Sequence, residues 1–172
     1  MTMDKQFFDK NEANDFKILT KLNEDIDFVK SFDNMPYKHC MDASGETDMC
    51  KVMMELKNRT GYITSFDDVY IESKKAAYLY LQWVTEGFFP LYINYFKNGK
   101  DDEYPEMIAI WRLDKLSTFN YHPTTKTVSK GYQKEEYRER FGLLPVDAVI
   151  YKLIDNKYTK IKNIGETYMG ND

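Results

Sequence analysis

Between Cys50 and Lys57 the chain alternates with a period of two. Cys50, Val52, Met54 and Leu56 make one wholly apolar row, and Lys51, Met53, Glu55 and Lys57 make the other. Successive side chains of a strand point to opposite faces of a sheet, so this pattern predicts a β-strand. One of its faces is core material. The other carries a carboxylate and an ammonium two residues apart, and the rest of the chain must supply the layers that cover such a strand.

Those layers are legible in outline. Phe16, Leu19, Leu22 and Ile26 recur at spacings of three and four, which predicts a helix from Glu12 to about Ile26 with Asn11 as its N-cap. Residues 27–32 read as a short strand or helix tail. Residues 37–43 and 49–58 read as two strands, with Gly45 supplying the turn between them. Ser65-Phe66-Asp67-Asp68 has the form of a capping box and predicts a second helix from Asp68 to Glu86, closed by Gly87. Strands are expected at 90–97, 106–113 and 146–153, with a polar tail or short strand from Asn156. The expected class is mixed α/β, with helices packed on a sheet.

Length and composition bound the function. The 172 residues suit one domain, and 42% hydrophobic content suffices for a core. Only 8 Gly and 5 Pro predict long regular elements without a low-complexity linker. No apolar run approaches the ~18–20 residues of a membrane span, and the start lacks the apolar run of a signal peptide, so a soluble, cytoplasmic chain is expected. The net charge of -4 lacks the basic excess of many nucleic-acid binders. It does not exclude them, because a site built from carboxylates lowers the balance. Lys126, Lys130, Lys134, Arg138 and Arg140 make one locally basic stretch, diluted by Glu135, Glu136 and Glu139. Cys40 and Cys50, with the distant His39 and His122, fall short of a zinc site; they are expected as reduced thiols, the alternative being a disulfide across a hairpin.

The residues 52–62, Val-Met-Met-Glu-Leu-Lys-Asn-Arg-Thr-Gly-Tyr, resemble the core of the PD-(D/E)XK nuclease superfamily. The stretch 68–79 resembles the helix after that motif in small phage and bacterial members, and 91–96 resembles the next core strand. The resemblance spans roughly 12–115 and leaves a β-rich C-terminal extension. It implies a restriction-endonuclease-like mixed sheet flanked by helices, and a DNA-hydrolysing endo- or exonuclease dependent on Mg²⁺ or Mn²⁺. The partner implied is DNA, with no membrane, and many members work as homodimers.

Residue by residue, the resemblance implies that Glu55 and an upstream Asp hold the metal, that the Leu56 carbonyl adds a ligand, and that Lys57 positions water or stabilises negative charge. Asp42, thirteen residues before Glu55, is the favoured acid. A turn near Asp48-Met49 would bring it level with Glu55, whereas a turn at Ser44-Gly45 would bring Asp33 level instead. His39 and Asp48 are further candidates, and the Pro-Asp pair of the superfamily's name is absent. Glu12 on the first helix can reach a metal or merely complement the helix dipole. Lys75, with Lys74 next, is expected to contact phosphate, and Asn58 and Arg59 to touch the DNA backbone. Two other readings stay open. One is an inactive nuclease-like domain that binds nucleic acid or a protein. The other is an interaction protein using Tyr104, Trp111, Tyr121, Tyr132 and Tyr137 as contacts.

Overall fold

The computed structural model describes residues 3–36, 39, 41–97, 103–116, 119–128 and 135–161, without the side chains of 3–12, 124–128 and 135–137. Among them are two helices, α1 (Met3–Ile26) and α2 (Ser73–Glu86). The strands are β1 (Ser31–Asn34), β2 (Ala43–Glu46), β3 (Lys51–Thr60), β4 (Val69–Glu72), β5 (Phe89–Lys97), β6 (Met107–Arg112), β7 (Asn120–Val128), β8 (Glu135–Leu143), β9 (Val149–Ile154) and β10 (Lys157–Ile161). The class is mixed α/β. One sheet runs in the order β1-β2-β3-β5-β6-β9-β10, and a smaller one in the order β4-β8-β7. β3 and β5 pair in parallel from Val52↔Phe89 to Thr60↔Lys97, and the chain passes between them through β4 and α2.

Both rows of β3 are covered. Val52, Met54 and Leu56 pack with Ile18, Leu19 and Leu22 of α1. Met53, on the other row, packs with Tyr92, Trp111, and Ala76 and Leu79 of α2. Glu55 therefore points into a layer interface, not into solvent. α1 ends where Asp27 takes a left-handed backbone (φ 49) and its N–H donates to the Asn23 carbonyl at 2.9 Å. α2 ends at Gly87 (φ 74), whose conformation glycine adopts without steric cost.

Several expectations are corrected. Gly45 lies inside β2, not in a turn, and opposes Phe32 of β1 and Val52 of β3. A Cβ there would stand 2.8 Å from the Ser31 carbonyl oxygen, so the close approach of β1 requires glycine. The residues expected to open the second helix instead form β4, whose Val69 and Ile71 are buried while Tyr70 and Glu72 are half-buried. Asp68 does not cap a helix. Its carboxylate meets His122 Nε2 at 3.0 Å and accepts from Asn120 Nδ2 at 3.3 Å, so it anchors β7. The strands β7 and β8 have no counterpart among the sequence expectations. Their register shifts between His122 and Thr125, which accommodates Pro123 at an irregularity in the ladder. Trp111 is 0% exposed and donates its indole N–H to the Leu144 carbonyl, so it is core and not a contact residue. Tyr121 is exposed, whereas Tyr132 and the Tyr137 side chain lie outside what is described. Cys50 is a free thiol, and Cys40 lies outside the described residues, as do 98–102 and everything from 162 onward. Among the described residues no helix is long and apolar enough to cross a membrane.

Gly45→Ala is expected to lower stability by about 1–3 kcal/mol, the cost of forcing a methyl into a filled space. Urea unfolding measures this. A variant as stable as the parent would contradict the close β1–β2 approach.

Candidate functional site

The turn between β2 and β3 decides which acid meets Glu55. Thr47 N–H donates to the Cys50 carbonyl at 2.8 Å, and the Thr47 hydroxyl accepts from the amides of Met49 (3.2 Å) and Cys50 (3.0 Å). A turn closed this way centres on Asp48-Met49. It pairs Ala43 with Met54, which brings Asp42 level with Glu55. Asp33 pairs with Ser44 from the neighbouring strand, and Asp48 forms an ion pair with Lys30 in the exposed turn. His39 is engaged elsewhere: its Nδ1 accepts the Met41 N–H at 3.1 Å, and its Nε2 lies 3.4 Å from the Tyr78 hydroxyl.

Regular pairing of β2 with β3 stops at Ala43, and the Asp42 side chain extends it. Its Oδ2 accepts the Leu56 N–H at 2.7 Å. The same carboxyl therefore takes a main-chain donor of the motif strand and lies against Glu55. The Leu56 side chain is buried toward α1, and its main chain pairs with Ile93 of β5.

Glu55 is 3% exposed. α2 presents Lys75 beside its buried Ala76 and Leu79, and the Lys75 ammonium donates to Glu55 Oε1. Glu55 Oε2 is buried without a hydrogen-bond partner. Burial first, and the Asp42 charge second, push the Glu55 carboxyl up to about 8. A third acid completes the row. Asp15 of α1, beside Tyr95, is pushed up to about 7 by burial and then by Asp42. Asp42 thus stands between Glu55 and Asp15. Lys75 is itself raised: burial lowers it, but Glu55 and Asp42 outweigh that.

The sequence reading missed Asp15. The signal was available, because Asp15 precedes Ile18, Leu19 and Leu22 at helical spacings of three, four and seven. Glu12 lies one turn earlier in α1, but its side chain is outside those described.

Lys57 stands at the mouth of the site. The residue is exposed as a whole, yet its ammonium is lowered by desolvation and then by Lys75. Among the described residues it has no ion-pair partner. Arg59, two residues on, is bound within the protein. Its Nε donates to Asn94 Oδ1 at 2.8 Å, and its Nη2 to the Tyr70 carbonyl at 2.7 Å and the Tyr92 hydroxyl at 3.0 Å. Lys74 and Asn58 are exposed, and Asn58 lies on the opposite row from Glu55. The smaller sheet supplies the far wall, with Tyr70, Glu72 and Arg140 enclosing a cavity of about 60 Å³ together with Glu55, Lys57 and Lys75.

What this arrangement can hold follows from its donors. Asp42 and Glu55 offer hard oxygens, and Glu55 Oε2 is an unsatisfied acceptor in a buried place. Among the described residues no three His, Cys, Asp or Glu side chains form a group able to hold a metal. Mg²⁺ does not require one, since it is commonly bound by one or two carboxylates plus waters and substrate phosphates. The residues present fit that mode. No family model matches this chain, and no curated protein matches it either.

Without divalent cations, folding stability is expected to fall as pH rises from about 4 to about 8. The native Glu55 and Asp15 hold protons that the unfolded chain, with ordinary carboxyls at 4.5 and 3.8, has already released. Their stabilising contribution is full below the unfolded values and lost as pH passes the native ones. Urea midpoints across this range in EDTA test the slope, and Glu55→Gln is expected to flatten its upper half. A midpoint that climbs steadily toward pH 8 would refute the buried carboxyl row.

Proposed function

We propose that the chain is a Mg²⁺- or Mn²⁺-dependent nuclease that hydrolyses DNA phosphodiester bonds, with Asp42, Glu55 and Lys57 as its reactive set. The observation that carries this reading is the juxtaposition of two carboxyls, Asp42 and Glu55, with an ammonium two residues along the same strand face. The order of elements supports it. The resemblance implies a helix, then a hairpin, then a helix, then a strand, and α1, the β2–β3 hairpin, α2 and the parallel strand β5 follow in that order, with β4 inserted before α2.

Asp42 and Glu55 would hold the ion, with Asp15 adjoining Asp42 from α1. A bound divalent cation supplies Lewis acidity at the phosphate and a lowered pKa for its water. The chain's own residues do the rest. Lys57, without an ion-pair partner among the described residues and lining the cleft, would orient a water or meet the negative charge that develops on the phosphoryl oxygens. Lys75 holds Glu55 through Oε1, so that Oε2 would remain available as an oxygen donor to a metal ion. Lys74 and Asn58, both exposed, are open to the DNA backbone. Arg59 acts through the protein by fixing Asn94, Tyr92 and the Tyr70 carbonyl.

A second reading has one observation in its favour. The Lys75–Glu55 contact already gives Glu55 a cationic partner, as in a nuclease-like domain that binds nucleic acid without cutting it.

Supercoiled plasmid, linear duplex and single-stranded DNA incubated with Mg²⁺ or Mn²⁺ separate the two. Cleavage abolished by EDTA is expected, with Glu55→Ala and Lys57→Ala each slowing it by about 100-fold or more, the usual loss on removing a group that stabilises transition-state charge. Salt-dependent retention of DNA with no cleavage of any substrate would favour the binding module.

A further inference from the structure

Arg140 is the unexplained cation of the cleft. It sits on β8 directly opposite Glu72 of β4, where an ion pair across the ladder is the ordinary outcome. That pair does not form, because Arg138, two residues back on the same face, takes Glu72. Among the described residues no carboxylate pairs with Arg140, and its Nε is buried without a hydrogen-bond partner. Its guanidinium lies over the Tyr70 ring, 5.7 Å from the centroid. Stacking of this kind holds a planar guanidinium in place while leaving its edge donors available.

The surroundings indicate what those donors meet. Arg140 lines the same small cavity as Lys57, Lys75 and Arg59, so four cations face two carboxylates, Glu55 and Glu72. Arg59 uses only neutral acceptors. The excess is positive and the space is confined. At about 60 Å³ it exceeds the ~10–15 Å³ that one water needs, and it suits a group of phosphate size. A guanidinium fork matches two phosphate oxygens in a way an ammonium does not.

We propose that Arg140, delivered by the smaller sheet, is a phosphate-binding residue of the cleft and grips the DNA backbone phosphate seated beside Lys57. The inference rests on the nuclease reading and adds to it an element outside the resemblance, since β8 follows the last core strand that resembles the superfamily.

Fluorescence anisotropy of a labelled DNA duplex in EDTA, titrated across salt concentrations, measures binding without cleavage. Arg140→Gln is expected to weaken binding about tenfold and to reduce the salt slope by about one, as for loss of one phosphate contact. Arg140→Lys keeps the charge but not the fork, and is expected to restore the slope with only part of the affinity. Lys157→Gln, at the remote β9–β10 turn, removes the same charge and is expected to change affinity less than twofold. Thermal melts establish that each variant is folded at the assay temperature, and if Arg140→Gln is not, Arg140→Lys carries the comparison. If the parent cleaves DNA while Arg140→Gln binds with parental affinity and slope, the inference is overturned and the nuclease reading stands. Weakened binding with an unchanged slope also overturns it, since that marks a structural effect. A parent that neither binds nor cleaves DNA overturns both.

Discussion

The contact on which the site turns is the one between Lys75 and Glu55. A carboxyl buried between a sheet and a helix is costly unless something meets it. Here one ammonium from α2 meets Oε1 of Glu55, while Oε2 is buried without a geometric hydrogen-bond partner among the described residues. Two more carboxyls follow in line through Asp42 to Asp15. Burial first, and the neighbouring Asp42 charge second, hold Glu55 and Asp15 protonated far above the ordinary carboxyl range. The arrangement is expected to weaken the fold near neutral pH, and under the proposed function a hard cation would relieve that cost. Buried carboxyls with displaced acidities, gathered in a cleft, mark a candidate functional site.

How the acids come together is a matter of hairpin register. Sliding β2 by one residue would carry Asp42 away from Glu55 and turn its neighbours to the wrong faces. Thr47 prevents the slip by closing the turn through its backbone and its hydroxyl. The alternation of β3, the stripe of α1 and the C-terminus of α2 at Gly87 were all readable, because each follows from a periodicity or a single backbone requirement. The turn was not. Ser-Gly is a strong local turn signal, and only the approach of Ser31 from a third strand shows why Gly45 belongs inside a sheet.

The smaller sheet was the least legible part, and for related reasons. Val69 to Glu72 alternates over only four residues, beside a capping pattern that competes with it. β7 and β8 carry many charged residues and a proline, and they gain their place from partners far along the chain, such as Asp68 with His122. Glu55 and Lys57 were visible as a pair, but the burial that gives Glu55 its altered acidity depends on where α2 lies. Asp15 shows the same limit, since an acid on an apolar stripe acquires meaning only when another acid is found across from it.

One carbonyl joins these parts. The Tyr70 oxygen accepts from Arg59 Nη2 and, at 2.6 Å, from the Tyr92 hydroxyl, so a single atom of β4 is gripped from both β3 and β5. The smaller sheet is thereby riveted to the larger one through Arg59, four residues from Glu55 on the same strand. Under the proposed function, a load on β8 would reach β3 through Tyr70, so the wall that carries Arg140 and the strand that carries Glu55 would share one mechanical frame.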